Sequence, residues 1–188
     1  MPTTECDTRL TYDDFVRFPD DGLRHELIDG VHYVTPSPAT RHQQLSGRLH
    51  LAIGTYLEQH PDAGQLFYAP FDVLFSRWDV VEPDLLLISA DQLEILTAAN
   101  VQGAPALVIE ILSPGTRKRD LGIKRDLFDR GGVREYWVVD PKIEDVAVYR
   151  RDANGRLGPA GVLTAAAGSV LGTPLLPGLE LPLAKLFA

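Results

Sequence analysis

Three side chains far apart in the chain are of types that handle phosphoryl chemistry: Asp84, Glu110 and Lys124. Asp84 opens the run Pro83-Asp84-Leu85-Leu86-Leu87-Ile88, and Glu110 interrupts Ala106-Leu107-Val108-Ile109-Glu110-Ile111-Leu112. A charged carboxylate in apolar surroundings is costly unless it is paired or bound to a cation. If the two runs are neighbouring strands, both acids lie at one end of the sheet and face a common ion. Carboxylate oxygens with few soft competitors suit Mg²⁺ or Mn²⁺. Taken singly, each acid has a plainer explanation, Asp84 as a strand-start cap and Glu110 as half of a salt bridge.

Lys124 changes that balance. On a helix from about Asp120 to Gly131, residues advance by roughly 100° each. Leu121, Leu127 and Phe128 then share an apolar stripe with Lys124 in its middle, while Arg125, Asp126, Asp129 and Arg130 project elsewhere. A lysine there must snorkel or meet an acid. Asp120 at i−4 is one partner. The carboxylate pair is the other, and there the ammonium would orient or activate a water and stabilise charge developing on a phosphoryl group. Ile123 falls off the stripe, which points to a helix covered on two sides. Glu26, between His25 and Leu27, is either a third acid over the same cation or a solvated strand residue. His42 opens a long helix, where histidine reads as a cap or surface residue. Tyr136 and Trp137 read as core. There is no P-loop, dinucleotide turn or Gly-x-Ser-x-Gly elbow, and the histidines lack zinc-ligand spacing.

The elements that must position these groups follow from local pattern. Thr11 caps a short helix, Tyr12 to Phe18, with Asp13 and Asp14 in its first turn. Arg24–Ile28 and Val31–Val34 flank Asp29-Gly30, a strong hairpin signal because both turn positions take positive φ. His42 to Glu58 carries a helical stripe of Leu45, Leu49, Ala52, Ile53 and Tyr56-Leu57. Strands are expected at Gln65–Tyr68 and Phe71–Phe75, the latter alternating in a way that implies one strongly buried face. A helix is expected from about Ala90 to Ala99. Ala106–Leu112 is apolar on both faces, as befits a central strand. Glu135–Pro141 is a further strand, and the tail, from Val146 through Asn154-Gly155 to Pro182, reads as a β-rich edge and terminal clasp without catalytic content.

At 188 residues, 45% hydrophobic and 23% charged, the chain is long enough for a proper core and reads as a single domain, 1–188. No run approaches the roughly 18 apolar residues of a membrane span. The polar, acidic start Met1–Asp7 does not resemble a targeting peptide. Cys6 is the only cysteine, so an internal disulfide and a cysteine zinc site are excluded. A cytoplasmic protein without membrane contact is the simplest expectation. The net charge of −8 opposes nonspecific adhesion to nucleic acid. Its distribution is uneven: residues 113–136 hold seven basic and four acidic side chains. That stretch is either a solvated charged helix or, directly after Glu110, a guide for a nucleic-acid strand through Arg117–Arg119.

Taken together, His25-Glu26-Leu27-Ile28-Asp29-Gly30, His42, Pro83-Asp84, Val108-Ile109-Glu110-Ile111-Leu112-Ser113-Pro114, Asp120 with Lys124, and Gly132–Pro141 resemble the Uma2 family (DUF820-type) over nearly the whole chain. The resemblance implies the PD-(D/E)xK restriction-endonuclease-like fold: a mixed α/β (α+β) architecture with a mixed β-sheet flanked by helices, an N-terminal hairpin and a β-rich C-terminal tail. It implies a divalent-metal site and phosphodiester hydrolysis, most simply of DNA, with a homodimer as one assembly, for which an apolar strand such as Phe71–Phe75 could supply an edge. By that resemblance Asp84 is the motif aspartate, Glu110 the motif acid, Lys124 the motif lysine moved to the following helix, and Glu26 the early acid. Asp84, Glu110 and Glu26 would hold the ion. Leu112 stands where the wider fold has its lysine, Phe128 where the family commonly has tyrosine, and Gly115 where serine is common. An alternative is a nuclease-like domain kept for binding nucleic acid or protein; a weaker one is action on a small phosphorylated compound.

Overall fold

The computed structural model describes residues 9–188; Met1–Thr8, with Cys6 and most of the polar N-terminal segment, lie outside the described residues. The strands are β1 (Arg24–Ile28), β2 (Val31–Thr35), β3 (Gly64–Tyr68), β4 (Val73–Ser76), β5 (Asp79–Val81), β6 (Leu85–Ser89) and β7 (Val101–Gln102). They continue as β8 (Leu107–Ile111), β9 (Glu135–Asp140), β10 (Asp145–Arg151), β11 (Leu157–Thr164), β12 (Val170–Thr173) and β13 (Leu176–Pro182). The helices are α1 (Tyr12–Phe15), α2 (Thr40–Gln59), α3 (Arg117–Arg119), α4 (Arg125–Gly131) and α5 (Leu183–Leu186).

Two mixed sheets result rather than one. A five-stranded sheet has the order β2-β1-β5-β4-β7 and a six-stranded sheet the order β11-β10-β9-β8-β6-β3, with β12-β13 as a separate pair. In the larger sheet β6 pairs antiparallel with β8 in the register Leu85↔Ile109, and β8 pairs parallel with β9. The expected adjacency of the two acid-bearing runs is therefore present. Asp84 and Glu110 lie one step beyond the Leu85↔Ile109 pair, at one end of the sheet.

Period-two alternation decides which way Glu110 points. Leu107, Ile109 and Ile111 of β8, with Leu85, Leu87, Trp137 and Val139, pack on Leu45, Leu49 and Ile53 of α2. Each of those three α2 side chains is fully buried, a burial worth about 1.5–3 kcal/mol apiece. The other face presents Leu86, Ile88, Val108, Tyr136 and Val138 to Leu127 and Phe128 of α4 and to Ile28, Val73, Val81 and Val101 of the smaller sheet. Glu110 is in phase with Val108, so its carboxylate enters the layer between the two sheets.

The hairpin turn is as expected: Asp29 and Gly30 have φ of 53° and 74°. A Cβ at Gly30 would stand 2.4 Å from the Cβ of Arg9, so only glycine fits. The helix after Glu110 departs from expectation. Residues 117–131 are helical, but Asp120–Lys124 form a π-helical turn between α3 and α4. Lys124 is buried, as its place on the apolar stripe implied, while Ile123 is 38% exposed, so the second covered side expected at Ile123 is absent. Gly132, left-handed at φ 98°, ends α4.

Other differences are local. The first helix stops at Phe15, with Val16–Phe18 in turns, although the Thr11–Asp14 capping box is formed. Ala90–Ile95 is a 3₁₀ turn, not a helix to Ala99. The strand expected at Phe71–Phe75 is β4, which lies between β5 and β7 and so is not an edge for a partner copy. No helix among the described residues is long and apolar enough to cross a membrane.

Candidate active site

Lys124 is the centre of the site. Its ammonium lies 2.7 Å from Glu110 Oε1 and 2.7 Å from Glu26 Oε1, with Asp120 Oδ1 at 3.9 Å. It is 3% exposed. The π turn delivers Lys124 and Asp120 to the same interior face, β8 delivers Glu110, and β1 delivers Glu26. Glu26 is thus buried rather than solvated, and its Oε1 also accepts the Glu82 N–H at 3.1 Å. The Tyr136 hydroxyl donates to the Asp120 carbonyl at 3.1 Å and ties the π turn to β9.

Asp84 has a different set of partners. Oδ1 accepts from Arg24 at 2.8 Å; Oδ2 bonds to His42 Nε2 at 3.0 Å and accepts the Ile111 N–H at 2.8 Å. Lys124 is therefore centred on Glu110 and Glu26, while Asp84 belongs to Arg24 and His42. All of these residues line one cavity of about 230 Å³, together with the Thr35–Ala39 segment, Ser113–Thr116 and Arg119. A second cavity of about 530 Å³ adjoins it and shares Arg24, Thr35, Ser37, Pro38, His42 and Asp84 with it.

Charge in the first cavity is unbalanced. Glu26, Asp84, Glu110 and Asp120 face Arg24, Arg119 and Lys124, leaving one carboxylate in excess. Burial pushes the Glu110 carboxyl well above the usual range; Lys124 pulls it back, while Asp120, Asp84 and Glu26 push it further up. Burial also raises Asp120. Burial works against the Lys124 ammonium, but Glu110, Glu26 and Asp120 outweigh it and hold the lysine protonated. Asp84 ends below its ordinary value: burial raises it, and the His42 hydrogen bond, Arg24 and the Ile111 N–H more than offset that. Nearby, burial with Asp72 and Glu26 lifts Glu82 to about 7.

Buried polar atoms without a partner are rare in folded proteins and ask for an explanation. Among the described residues they are Arg24 Nε, Glu26 Oε2, His42 Nδ1, His50 Nδ1, Glu82 Oε2, Arg119 Nε and Asp120 Oδ1. All but His50 line one of these two cavities. Two of them, Glu26 Oε2 and Asp120 Oδ1, are hard oxygens that accept no hydrogen bond and meet a cation only at ion-pair range, Arg119 at 3.5 Å and Lys124 at 3.9 Å. A divalent cation fits that chemistry. Among the described residues, however, no three Asp, Glu, His or Cys groups already stand at ligand spacing: several of the oxygens are engaged by Lys124, Arg24 and His42.

Sequence reasoning passed over several of these residues. His42 is in helical phase with Leu45, Leu49 and Ile53, so a polar side chain on an apolar stripe was the available signal, the same one that marked Lys124. Arg24 lies two residues before Glu26 on one face of β1. The basic stretch is largely spoken for. Arg119 turns inward, bonding Thr35 and lying 3.5 Å from Glu26, and Arg117 pairs with Asp140. Lys118 is exposed. Phe128, where a tyrosine was expected, packs edge-on against Tyr136.

A family model described as "Uma2: Putative restriction endonuclease" matches residues 12–184. No curated protein matches the sequence. Among solved structures, the chain is similar to one titled a putative nuclease belonging to DUF820 from Anabaena variabilis, with a TM-score of 0.79 and 20% identity, over 95% of this chain and 97% of that one. At that identity the likeness speaks to the fold.

Proposed function

The chain belongs to the Uma2 family, and from that membership we propose that it is a divalent-metal-dependent endonuclease that hydrolyses DNA phosphodiester bonds, its single domain built around Asp84, Glu110, Lys124 and Glu26. The observation that carries the proposal is the convergence of these side chains, from the start of β6, β8, the π turn and β1, on one cavity where carboxylates outnumber cations and two buried carboxylate oxygens accept no hydrogen bond.

In this reading Glu26, Asp84 and Glu110 hold Mg²⁺ or Mn²⁺. The bound ion would polarise a phosphoryl oxygen and lower the pKa of an attacking water. The chain's own groups do the rest. Lys124, held as an ammonium, donates hydrogen bonds: it orients the water and stabilises charge developing on the phosphoryl oxygens, and it is not the general base. Arg24 and His42 fix the Asp84 carboxylate, and the Ile111 N–H keeps it in register with β8.

The test is cleavage of plasmid and oligonucleotide DNA in Mg²⁺ and Mn²⁺ by wild type, Asp84→Asn, Glu110→Gln and Lys124→Met. Loss of cleavage in all three folded variants is expected; cleavage at the wild-type rate by any of them sinks the assignment. The second reading, a nuclease fold kept for binding, is favoured by one observation: both oxygens of Asp84 are already engaged, and Lys124 already sits between Glu26 and Glu110. It predicts DNA binding without cleavage in any ion and no metal-induced rise in melting temperature.

A further inference from the structure

The larger of the two cavities lies beside the candidate metal site, and nothing in the proposed chemistry uses it. Its volume of about 530 Å³ falls within the roughly 300–1,000 Å³ of ligand-binding pockets, whereas the catalytic cavity, at about 230 Å³, is too small for more than a phosphate and its surroundings. Its position is set by register. Tyr68 at the end of β3 pairs with Leu85, and the next N–H, of Ala69, donates to the Asp84 carbonyl at 3.1 Å. A group in the second cavity is therefore next to whatever Asp84 holds.

The walls differ in kind from those of the catalytic cavity. Arg24 is the one arginine or lysine of the lining and is taken up by Asp84, while Asp20 and Glu82 add further carboxyls, so the cavity has no spare cation for a phosphate. Gln43 and Ser46, from the first turns of α2, bring an amide and a hydroxyl. Glu82 is 9% exposed, and its Oε2 has no partner. Tyr68 is 58% exposed, with its ring steadied edge-on by His50 at 4.8 Å between centroids. An exposed aromatic face, an amide and a carboxylate oxygen without a hydrogen bond, next to a phosphodiester site yet without a spare cation for phosphate, match a nucleobase. The base is neutral, has a π face, and carries N–H donors for carboxylates and amides. Within a duplex its faces are covered by neighbouring bases, so only a single-stranded or extruded base can enter.

We propose that this cavity is a subsite for one unstacked base of the DNA strand being cut, adjacent to the scissile phosphodiester, with Tyr68 as its stacking platform and Gln43, Ser46 and Glu82 on its edge. This rests on the nuclease reading above and adds a substrate preference to it: single-stranded or locally opened DNA over intact duplex.

The test is a titration, in EDTA, of a short single-stranded DNA carrying one 2-aminopurine, followed by fluorescence. Tyr68→Ala should weaken binding about ten-fold and abolish the fluorescence change, and Tyr68→Phe should restore both. Replacing the 2-aminopurine nucleotide by an abasic one should weaken wild type by the same factor, with no further loss in Tyr68→Ala, since the two changes remove one contact. Wild-type affinity in Tyr68→Ala, or losses that add, overturns the subsite. Parallel cleavage assays in Mn²⁺ separate the two ideas. Tyr68-dependent binding without cleavage keeps the subsite and removes the hydrolase; cleavage indifferent to Tyr68 does the reverse; neither binding nor cleavage removes both.

Discussion

Replacing Lys124 by methionine keeps an unbranched apolar stem as far as Cε and removes the charged Nζ. Glu26 and Glu110 each lose a 2.7 Å ion pair, and Asp120 loses a cation at 3.9 Å, all with 3% or less of their surface exposed. Removing one partner of a buried ion pair costs about 3–5 kcal/mol, because the other charge stays behind. A loss of that size is expected in urea unfolding at neutral pH without metal. Its pH dependence has a definite sign. The Glu110 carboxyl already binds its proton more tightly in the folded state than in the unfolded chain, and Lys124 is the largest influence opposing this. Without it the folded variant holds protons more tightly still, so its stability rises as pH falls from neutrality toward the unfolded carboxylate range near about 4.3. The gap to wild type should narrow as pH falls from neutrality. A divalent cation should replace the missing charge, so Mn²⁺ should bind Lys124→Met more tightly than wild type and raise its melting temperature more, while DNA cleavage stays absent. The reasoning is refuted if the loss is under about 1 kcal/mol, if it does not change with pH, or if calorimetry shows weaker Mn²⁺ binding to the variant.

Three further outcomes follow from the same geometry. His42→Ala removes a buried hydrogen bond to Asp84 and should cost about 1–3 kcal/mol; because the depressed Asp84 pKa stabilises the fold above the unfolded value near about 3.9 and that contribution disappears as pH drops through the folded value, the variant's acid-unfolding midpoint should move to higher pH, and an unmoved midpoint would count against the His42–Asp84 link. Tyr136→Phe leaves the Asp120 carbonyl without its hydroxyl donor, so unfolding free energy should fall by about 0.5–1.5 kcal/mol with faster amide exchange across Asp120–Lys124; unchanged exchange there would show that the π turn does not depend on this bond. Gly131→Ala would set a Cβ 2.4 Å from Phe75 Cδ1, and the forced repacking should cost about 1–3 kcal/mol in thermal or urea unfolding; a neutral substitution would mean that Phe75 moves aside freely.

Asp29-Gly30 between two short β-prone runs specifies a hairpin because both residues must take positive φ, and they do. The Leu45, Leu49, Ile53 spacing specifies one face of α2, and the doubly apolar run around Glu110 specifies a central strand. A carboxylate inside such a run, and a lysine on an apolar stripe, announce themselves because burying either without a partner is prohibitive. The division into two sheets was not visible, since β5 and β7 span only three and two residues and carry no periodicity of their own.

The sequence by itself determined the central strands, the hairpin, the long helix and the presence of charges that had to be neutralised, because each of these depends on residues within one turn or one strand period of each other. Only the tertiary structure decided who neutralises whom. Lys124 reaches Glu26 and Glu110 through a π turn that no local pattern encodes, and Asp84 goes instead to Arg24 and His42, which are 60 and 42 residues away along the chain. Those pairings depend on how two sheets and two helices pack, and packing is settled by shape and volume summed over the whole core rather than by the identity of neighbouring residues.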